Sequence, residues 1–372
     1  MWLRNGAMMI EEDDISVNVE GLQVNQDDSD DLIEHKRILV DKGQSPVRVD
    51  KFLMDKLEKV SRNKVQEALR SGAILVDDKE VKPNFKIKPG QLISLVMVSS
   101  TKDDTVIQAQ AIPLDIRYED QDLMVIYKPA GLVVHPGVGN EDGTLVNALA
   151  WYLHPDKDSL KEGDLVPRPS LVHRIDKDTT GLMVVPKNDY AASHLAKQFY
   201  DHTVDREYRA LVWGTPEPEK GTVSAWLGRD PNNRFDYKVV EEGKGKHAIT
   251  HYETLESLYY VSLVKCKLET GRTHQIRVHM KYIGNTLFND KRYGGNRILK
   301  GTNFTMFRRF VDKCYDLIPR TALHAKTLGF THPVSGERMH FDTELPSDLQ
   351  AALDRWRDYL ENRKNTMNEL GR

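Results

Sequence analysis

Residues 171–188, LVHRIDKDTTGLMVVPKN, set His173, Arg174, Asp176 and Asp178 between two short apolar runs, with Thr179, Thr180 and Gly181 forming a turn. Ionisable groups beside a β-core cost desolvation free energy unless they are paired or put to chemical use. The plainer reading is that Asp176 and Asp178 make Asx-type turns. A rival chemical reading is the DxDxT phosphotransfer pattern in Asp176-Lys-Asp178-Thr-Thr180. That chemistry needs a buried apolar strand before the first aspartate, and Leu171-Val-His-Arg-Ile175 is interrupted by two polar groups. No long βα alternation follows, so phosphotransfer is rejected.

Three further stretches carry candidate groups. In residues 118–137, an apolar run leads into Lys128-Pro129-Ala-Gly131 and then Val133-Val134-His135-Pro136-Gly137. Breakers around a strand end place Lys128 at an edge or cleft, although a lysine after a strand is usually solvated. In DREYRALVWG, Tyr208 lies mid-strand among alternating apolar residues, where tyrosine is usually core. In residues 269–295, Gly271 and Arg272 break a strand, and Thr273 is placed to cap a helix that begins at His274 and carries Arg277 in its first turns. His274 and His279 are five apart, not on one face as i,i+4 ligands would be. No HExxH or Cys/His set accompanies them, which argues against a metal site.

The elements that position these groups follow from periodicity. Residues 113–345 mix β-rich runs (DLMVIYK, GLMVVPK, REYRALVWG, HYETLESLYYVSLVKCKLET) with helical segments (GTLVNALAWYL, AASHLAKQFYD, THQIRVHMKYIG). Adjacent strands with separated helices predict an α+β fold. Residues 346–366 read as a terminal amphipathic helix capped by Ser347, within a C-terminal piece spanning 346–372. Residues 36–99 form a smaller unit with a leading strand at HKRILVDKG. In it, Val49, Phe52, Leu53 and Leu57 fall at helical spacing. Ser61 caps a second helix whose inner face is Val65, Ala68 and Leu69 and whose stop is Gly72. AILVDDKEV reads as strand–turn–strand about Asp77-Asp78. Residues 100–112 read as a polar linker.

The chain has 372 residues and a net charge of −3. That total conceals a polarity: residues 1–35 carry a net −9 and the remainder +6. The acidic stretch lacks a structural period and reads as a disordered tail. Two cysteines, Cys266 and Cys314, exclude a disulfide framework and are expected to be buried and inert. Neither a signal-peptide core nor an 18-residue uncharged apolar run is present, so no membrane span is expected and the protein reads as cytoplasmic. Residues 47–99 carry a net +4. Arg62, Lys64 and Arg70 on the second helix, with Lys82, Lys86 and Lys88 on the strands, suit phosphate binding; the plainer reading is a solvated basic face.

The smaller unit resembles the S4 RNA-binding domain. The resemblance rests on Arg48-Val-Asp-Lys-Phe-Leu, Ser61-Arg62-Asn-Lys64-Val65, Ser71-Gly72-Ala-Ile-Leu-Val76, Val81-Lys82-Pro83 and Lys88-Pro89-Gly90. The larger unit is similar to the RluA/RluD family of pseudouridine synthases. The motifs are His173-Arg174-Ile175-Asp176-Lys-Asp-Thr-Thr-Gly181, Gly271-Arg272-Thr273-His274-Gln275-Ile276-Arg277-Val278-His279 and the Lys128-Pro129-Ala-Gly131 block. The likeness spans roughly residues 47–345. Ile175 and Thr180 stand where Leu and Ser are commoner, and Tyr127 where Asn is frequent.

The resemblance implies a mixed, mainly antiparallel sheet in two halves with a central cleft, preceded by the S4 domain. It implies that Asp176 is the essential carboxylate, Tyr208 the aromatic that packs on the target base and Arg277 the partner of the aspartate. Arg174 takes part in flipping the nucleotide, and Lys128, Arg272 and His274 are expected to hold substrate. Isomerising uridine breaks the N1–C1′ bond and re-forms it at C5, so no cofactor is expected. The carboxylate has three routes: attack at C1′, attack at C6, or removal of the C2′ proton. The RluD-like layout implies large-subunit ribosomal RNA as partner and substrate; no metal is expected, and monomer is the default oligomeric state. Transfer RNA is an alternative substrate, and a non-catalytic ribosomal RNA-binding assembly factor is an alternative function.

Overall fold

In a computed structural model the described residues are 8–10, 32–57, 60–98, 106–302 and 304–369. The N-terminal module begins with β1 (Met8–Ile10), β2 (Ile33–Leu39) and β3 (Val47–Arg48), followed by α1 (Val49–Lys56) and α2 (Arg62–Arg70). It continues with β4 (Ile74–Val76), β5 (Lys79–Glu80), β6 (Lys86–Ile87) and β7 (Leu92–Val98). The sheet order is β1-β2-β7-β4-β5. Ser61 caps α2 as expected, its hydroxyl accepting from the Lys64 amide at 3.2 Å. Asp77 and Asp78 both take positive φ, at 49° and 59°, which matches the twist of the tight β4–β5 hairpin.

Two expected boundaries move. β2 starts at Ile33, inside the stretch read as tail, and Met8–Ile10 pairs along it; residues 1–7 and 11–31 lie outside the described residues. The second half of the expected linker is β8 (Val106–Gln108), which pairs with β11 (Leu165–Pro167). Ile107 and Ala109 are buried in the core of the larger unit.

The larger unit continues with β9 (Asp115–Glu119), β10 (Leu123–Lys128), α3 (Leu145–Tyr152), β12 (Thr180–Pro186), α4 (Asp189–Tyr200) and β13 (Asp205–Trp213). Then come β14 (Lys220–Asp230), β15 (Asn233–Val240), β16 (Lys246–Ser257), β17 (Val261–Leu268) and α5 (Gln275–Tyr282). The chain ends with α6 (Thr305–Leu317), β18 (Leu323–Thr331), β19 (Arg338–Asp342) and α7 (Ser347–Glu369). Ten strands form one sheet in the order β15-β14-β16-β17-β13-β18-β12-β10-β9, with β19 flanking β18. The β12–β18 pair is parallel and two residues long, and the other ladders of this sheet are antiparallel. This mixed, mainly antiparallel α+β architecture is the expected one.

Strands β10 and β12 read as unbroken apolar runs because both of their faces are covered. Met124, Ile126, Met183 and Val185 pack toward α3, and Leu123, Val125, Leu182 and Val184 pack toward α4. Gly181 is dictated where β12 meets β18: its φ is 122°, and a Cβ there would lie 2.1 Å from the Ala325 carbonyl oxygen. At the other end of the sheet, Leu349, Ala352, Leu353 and Trp356 on α7 pack with Trp213 and Phe288. Each such side chain contributes roughly 1.5–3 kcal/mol on burial. The helix includes Ser347 as its first residue, so Ser347 is not the cap expected from the sequence.

The N-terminal module is docked, not tethered at a distance. Ile33, Val96 and Val98 share a hydrophobic cluster with Leu195 and Phe199 of α4. The Tyr200 hydroxyl meets His35 Nδ1 at 2.9 Å, and Asn63 donates to Asp189 at 3.3 Å.

Candidate active site

The loop before β12 carries Asp176, and it is stapled from three directions. The Lys177 carbonyl accepts from the Gly131 amide and from Lys128 Nζ, both at 2.9 Å. Arg320 Nη1 donates to the Asp178 carbonyl at 3.0 Å while its guanidinium grips Asp348 of α7 at 2.6 and 2.9 Å. His173 Nε2 accepts from the Val184 amide at 3.0 Å, and burial pushes this imidazole down to about 3, so it is neutral at physiological pH. Backbone fixed at this many points holds a side chain at its root.

Asp176 itself is half-enclosed. Its Oδ2 accepts from Arg277 Nη1 at 2.9 Å, and its side chain keeps 21% exposure. Among the described residues its Oδ1 accepts no hydrogen bond. Burial alone would raise the carboxyl's pKa, but the charges of His274, Arg277 and Arg174 and the hydrogen bond from Arg277 hold it at about 2. Burial itself takes His274 down to about 4, so at neutral pH the permanent neighbouring charges are those of Arg277 and Arg174. The arrangement gives an ionised carboxylate with one open oxygen.

Arg277 lies in the first turn of α5, as expected. Its other edge is held by Asp290, which is fully buried and accepts from Nε at 2.7 Å and from Nη2 at 3.0 Å. Its guanidinium also covers the Tyr293 ring at 4.9 Å. Burial opposes the charge on Arg277, but Asp290 and Asp176 outweigh it and raise the pKa further.

Asp290 and Tyr293 were not singled out in the sequence. The signal was a carboxylate in the Asn-Asp-Lys-Arg-Tyr-Gly-Gly run that ends the Arg277 motif. The expected cap fails: α5 starts at Gln275, and its N-cap is His274 in the left-handed region at φ 57°. Gln275 Oε1 takes the Arg272 amide at 2.9 Å in place of a Thr273 cap.

Tyr208 lies on β13 opposite Cys266 of β17 and Ala325 of β18, with its ring on the cleft wall. It is 7% exposed, and burial raises its phenol pKa, so it is protonated at neutral pH. Arg174, Asp176, Tyr208, Arg272, His274 and Arg277 all line one cleft of about 770 Å³. His35 and Lys36 of β2 line it too, so the N-terminal module contributes a wall. Arg174 is exposed at the rim, with no hydrogen-bond partner among the described residues.

Lys128 is a correction. It is fully buried and does not line the cleft; its ammonium donates to the carbonyls of Pro129, Leu132 and Lys177 at 2.8, 2.8 and 2.9 Å. Burial pulls its pKa down to about 7, yet three carbonyl acceptors use all three N–H donors of the charged form. Lys128 is therefore placed as a clamp on the Asp176 loop and not as a group facing the cleft. Cys266 and Cys314 are buried, and burial pushes both thiols up to about 12, so they are inert as expected. In the N-terminal module Lys64, Arg70, Lys82 and Lys86 are exposed. Arg62 is exposed as well but lies 3.6 Å from the buried Asp50, and Arg70 pairs with Glu67, which tempers both as phosphate ligands. No helix among the described residues is long and apolar enough to cross a membrane.

A charged carboxylate, a fork-held arginine and a buried tyrosine in one arginine-rich cleft define a candidate active site. Comparison with known proteins gives the chain its family. Residues 122–282 match the RNA pseudouridylate synthase family model, and residues 47–93 match the S4 domain. The chain is 42% identical over 326 residues to an uncharacterized RNA pseudouridine synthase of Chlorobaculum parvum, covering 86% of this chain and 97% of that one. It is 41% identical over 309 residues to the ribosomal large subunit pseudouridine synthase D of Zymomonas mobilis, covering 82% and 92%. The fold is also that of human RNA pseudouridylate synthase domain containing 4, with a TM-score of 0.50 at 24% identity over 65% of this chain and 93% of that one. The chain belongs to the RNA pseudouridylate synthase family, with an S4 domain at its N-terminus.

Proposed function

We propose that this enzyme converts uridines to pseudouridine in large-subunit ribosomal RNA. The observation that carries the chemistry is the Arg277–Asp176 contact at 2.9 Å with the second carboxylate oxygen open to the cleft. The relative from Zymomonas mobilis favours the ribosomal substrate, and the docked S4 module favours structured RNA.

The target nucleotide must leave its stack, at a cost of a few kcal/mol. Arg174 at the rim fills the vacated space and pairs with phosphate. Tyr208 replaces the lost stacking, worth roughly 1–3 kcal/mol. Asp176, ionised throughout the physiological range, then acts at C1′, at C6 or on the C2′ proton, and each route starts from the carboxylate that Arg277 orients. The N1–C1′ bond breaks, the base turns and a C5–C1′ bond forms. The C5 proton is lost and N1 is left protonated, so the reaction is balanced without an oxidant or co-reactant. Tyr208 enters as a phenol, which stacks and relays protons and is not a ground-state base.

The test is to map pseudouridines in ribosomal RNA from cells with the intact gene, without it, and with Asp176→Asn. Sites lost in both mutant strains are the expected result. Loss in the deletion alone would leave a binding protein indifferent to its carboxylate. No ribosomal change at all would move the substrate to transfer RNA.

A further inference from the structure

One buried cation in the cleft has no part in the chemistry above. Arg206, at the start of β13, is 7% exposed and lines the cleft two residues before Tyr208. A buried guanidinium normally meets a carboxylate, because an unpaired buried charge costs several kcal/mol. Among the described residues Arg206 meets none. Its Nη2 donates to the Glu269 carbonyl at 3.1 Å, and its plane lies 5.3 Å from the Phe199 ring. Its Nε is buried without a partner, and its Nη1 makes no hydrogen bond among the described residues.

The surroundings are built around this group. The Gly271 backbone lies so close that a Cβ there would sit 2.6 Å from Arg206 Nη1. Arg272, next in the chain, lines the same cleft, as does His202. His202 follows α4 with a φ of 56°, a left-handed turn that a non-glycine residue seldom adopts. The site is cationic, partly enclosed and part of the cleft that Tyr208 also lines.

We infer that Arg206 forms a phosphate subsite of the cleft, taking a backbone phosphate of the RNA strand beside the flipped uridine. This rests on the pseudouridine synthase reading for the identity of the anion. The guanidinium fork suits a phosphate, which it can meet through two N–H groups at once. Such an anchor gives the strand a second cation in the cleft besides Arg174 at the rim.

The test measures binding of the full-length protein to an unmodified large-subunit ribosomal RNA transcript across a salt series, alongside conversion kinetics. Arg206→Met is expected to weaken binding roughly tenfold at low salt. It should also reduce the slope of log affinity against log salt by about 0.7–0.9, the loss of one phosphate contact. KM should rise by a larger factor than kcat falls. Arg206→Lys should restore most of the slope while recovering affinity in part, because charge returns without the fork. Inorganic phosphate should compete with RNA for the wild type more strongly than for Arg206→Met. An unchanged slope in Arg206→Met, with a lowered melting temperature, would make Arg206 a structural cation and overturn the inference. If Arg206→Met does not fold, Gly271→Ala displaces the guanidinium by contact and must show the same loss of slope. A wild type that binds this RNA without converting it would count against the enzyme reading, and the slope would still decide the subsite.

Discussion

Asp290 holds Arg277 through two hydrogen bonds, at 2.7 and 3.0 Å, whereas Asp176 takes one, at 2.9 Å. The buried carboxylate fixes the guanidinium, and the guanidinium then orients the reacting carboxylate without saturating it. Asp290→Asn keeps the shape and removes the charge. Turnover is expected to fall roughly 10–100-fold, the scale of a small misplacement in an active site, with RNA affinity little changed. Arg277→Lys should be at least as damaging, since a point charge cannot span both carboxylates. Single-turnover kinetics on the ribosomal transcript read both. Full activity in Asp290→Asn would remove the positioning role.

Tyr208 separates stacking from proton transfer. Tyr208→Phe should keep RNA affinity, and Tyr208→Leu should lose roughly 1–3 kcal/mol of it. If Tyr208→Phe also retains full turnover, the hydroxyl relays no proton and the ring alone matters. Paired measurement of Kd and turnover decides between them.

Acid titration has a defined sign. Asp176, Asp50 and Asp120 each have a folded-state pKa of about 2 against an ordinary 3.8. For Asp176, burial is overcome by neighbouring charge and the hydrogen bond from Arg277, and for Asp120 by hydrogen bonds from the Leu123 and Asp122 amides, Tyr118 and His332. For Asp50 the hydrogen bond from Arg48 leads. A depressed carboxyl pKa stabilises the fold above the unfolded value, and that stability is lost as pH falls through the folded value. Circular dichroism should therefore show the loss setting in below about pH 4 and growing to about pH 2. Protonation of Asp176 should leave kcat untouched above about pH 4. An acid limb near pH 6 that Asp176→Glu shifts would contradict this assignment.

Lys128→Met tests the loop clamp. Three buried carbonyl oxygens lose their donor, so stability should fall by about 2–4 kcal/mol. Because the loop carries Asp176, kcat should fall more than KM rises. Chemical denaturation with steady-state kinetics measures both; a rise in KM alone would instead return Lys128 to a substrate contact.

What was legible in the sequence depended on how local the cause was. The α2 cap at Ser61 and the Asp77-Asp78 turn are set by a few neighbouring residues, and they form as read. The Asp176 and Arg277 motifs are contiguous, and the cleft joins them across 101 positions of chain. Lys128 was misplaced because its burial depends on Leu132 and Lys177 folding over it, and a lysine at a strand end gives no local sign of that. Asp290 was overlooked because its partner lies on a helix one loop earlier, and Arg206 because a cation in a strand reads as a solvated edge. The His274 cap is a similar case: its left-handed backbone goes with contacts to residues outside the motif's first turn, among them the Tyr293 hydroxyl, which meets His274 Nδ1 at 2.7 Å.

Val96 and Val98 of β7 share one hydrophobic cluster with Phe199 of α4, so the two modules meet through packed side chains. Lys64 and Lys82 belong to one of the joined modules and Asp176 to the other. On the function proposed above, RNA held by the N-terminal module presents to Asp176 the uridines that lie at the span this seam sets. On that reading, choice of target becomes a matter of length, gauged between a basic helix and a carboxylate.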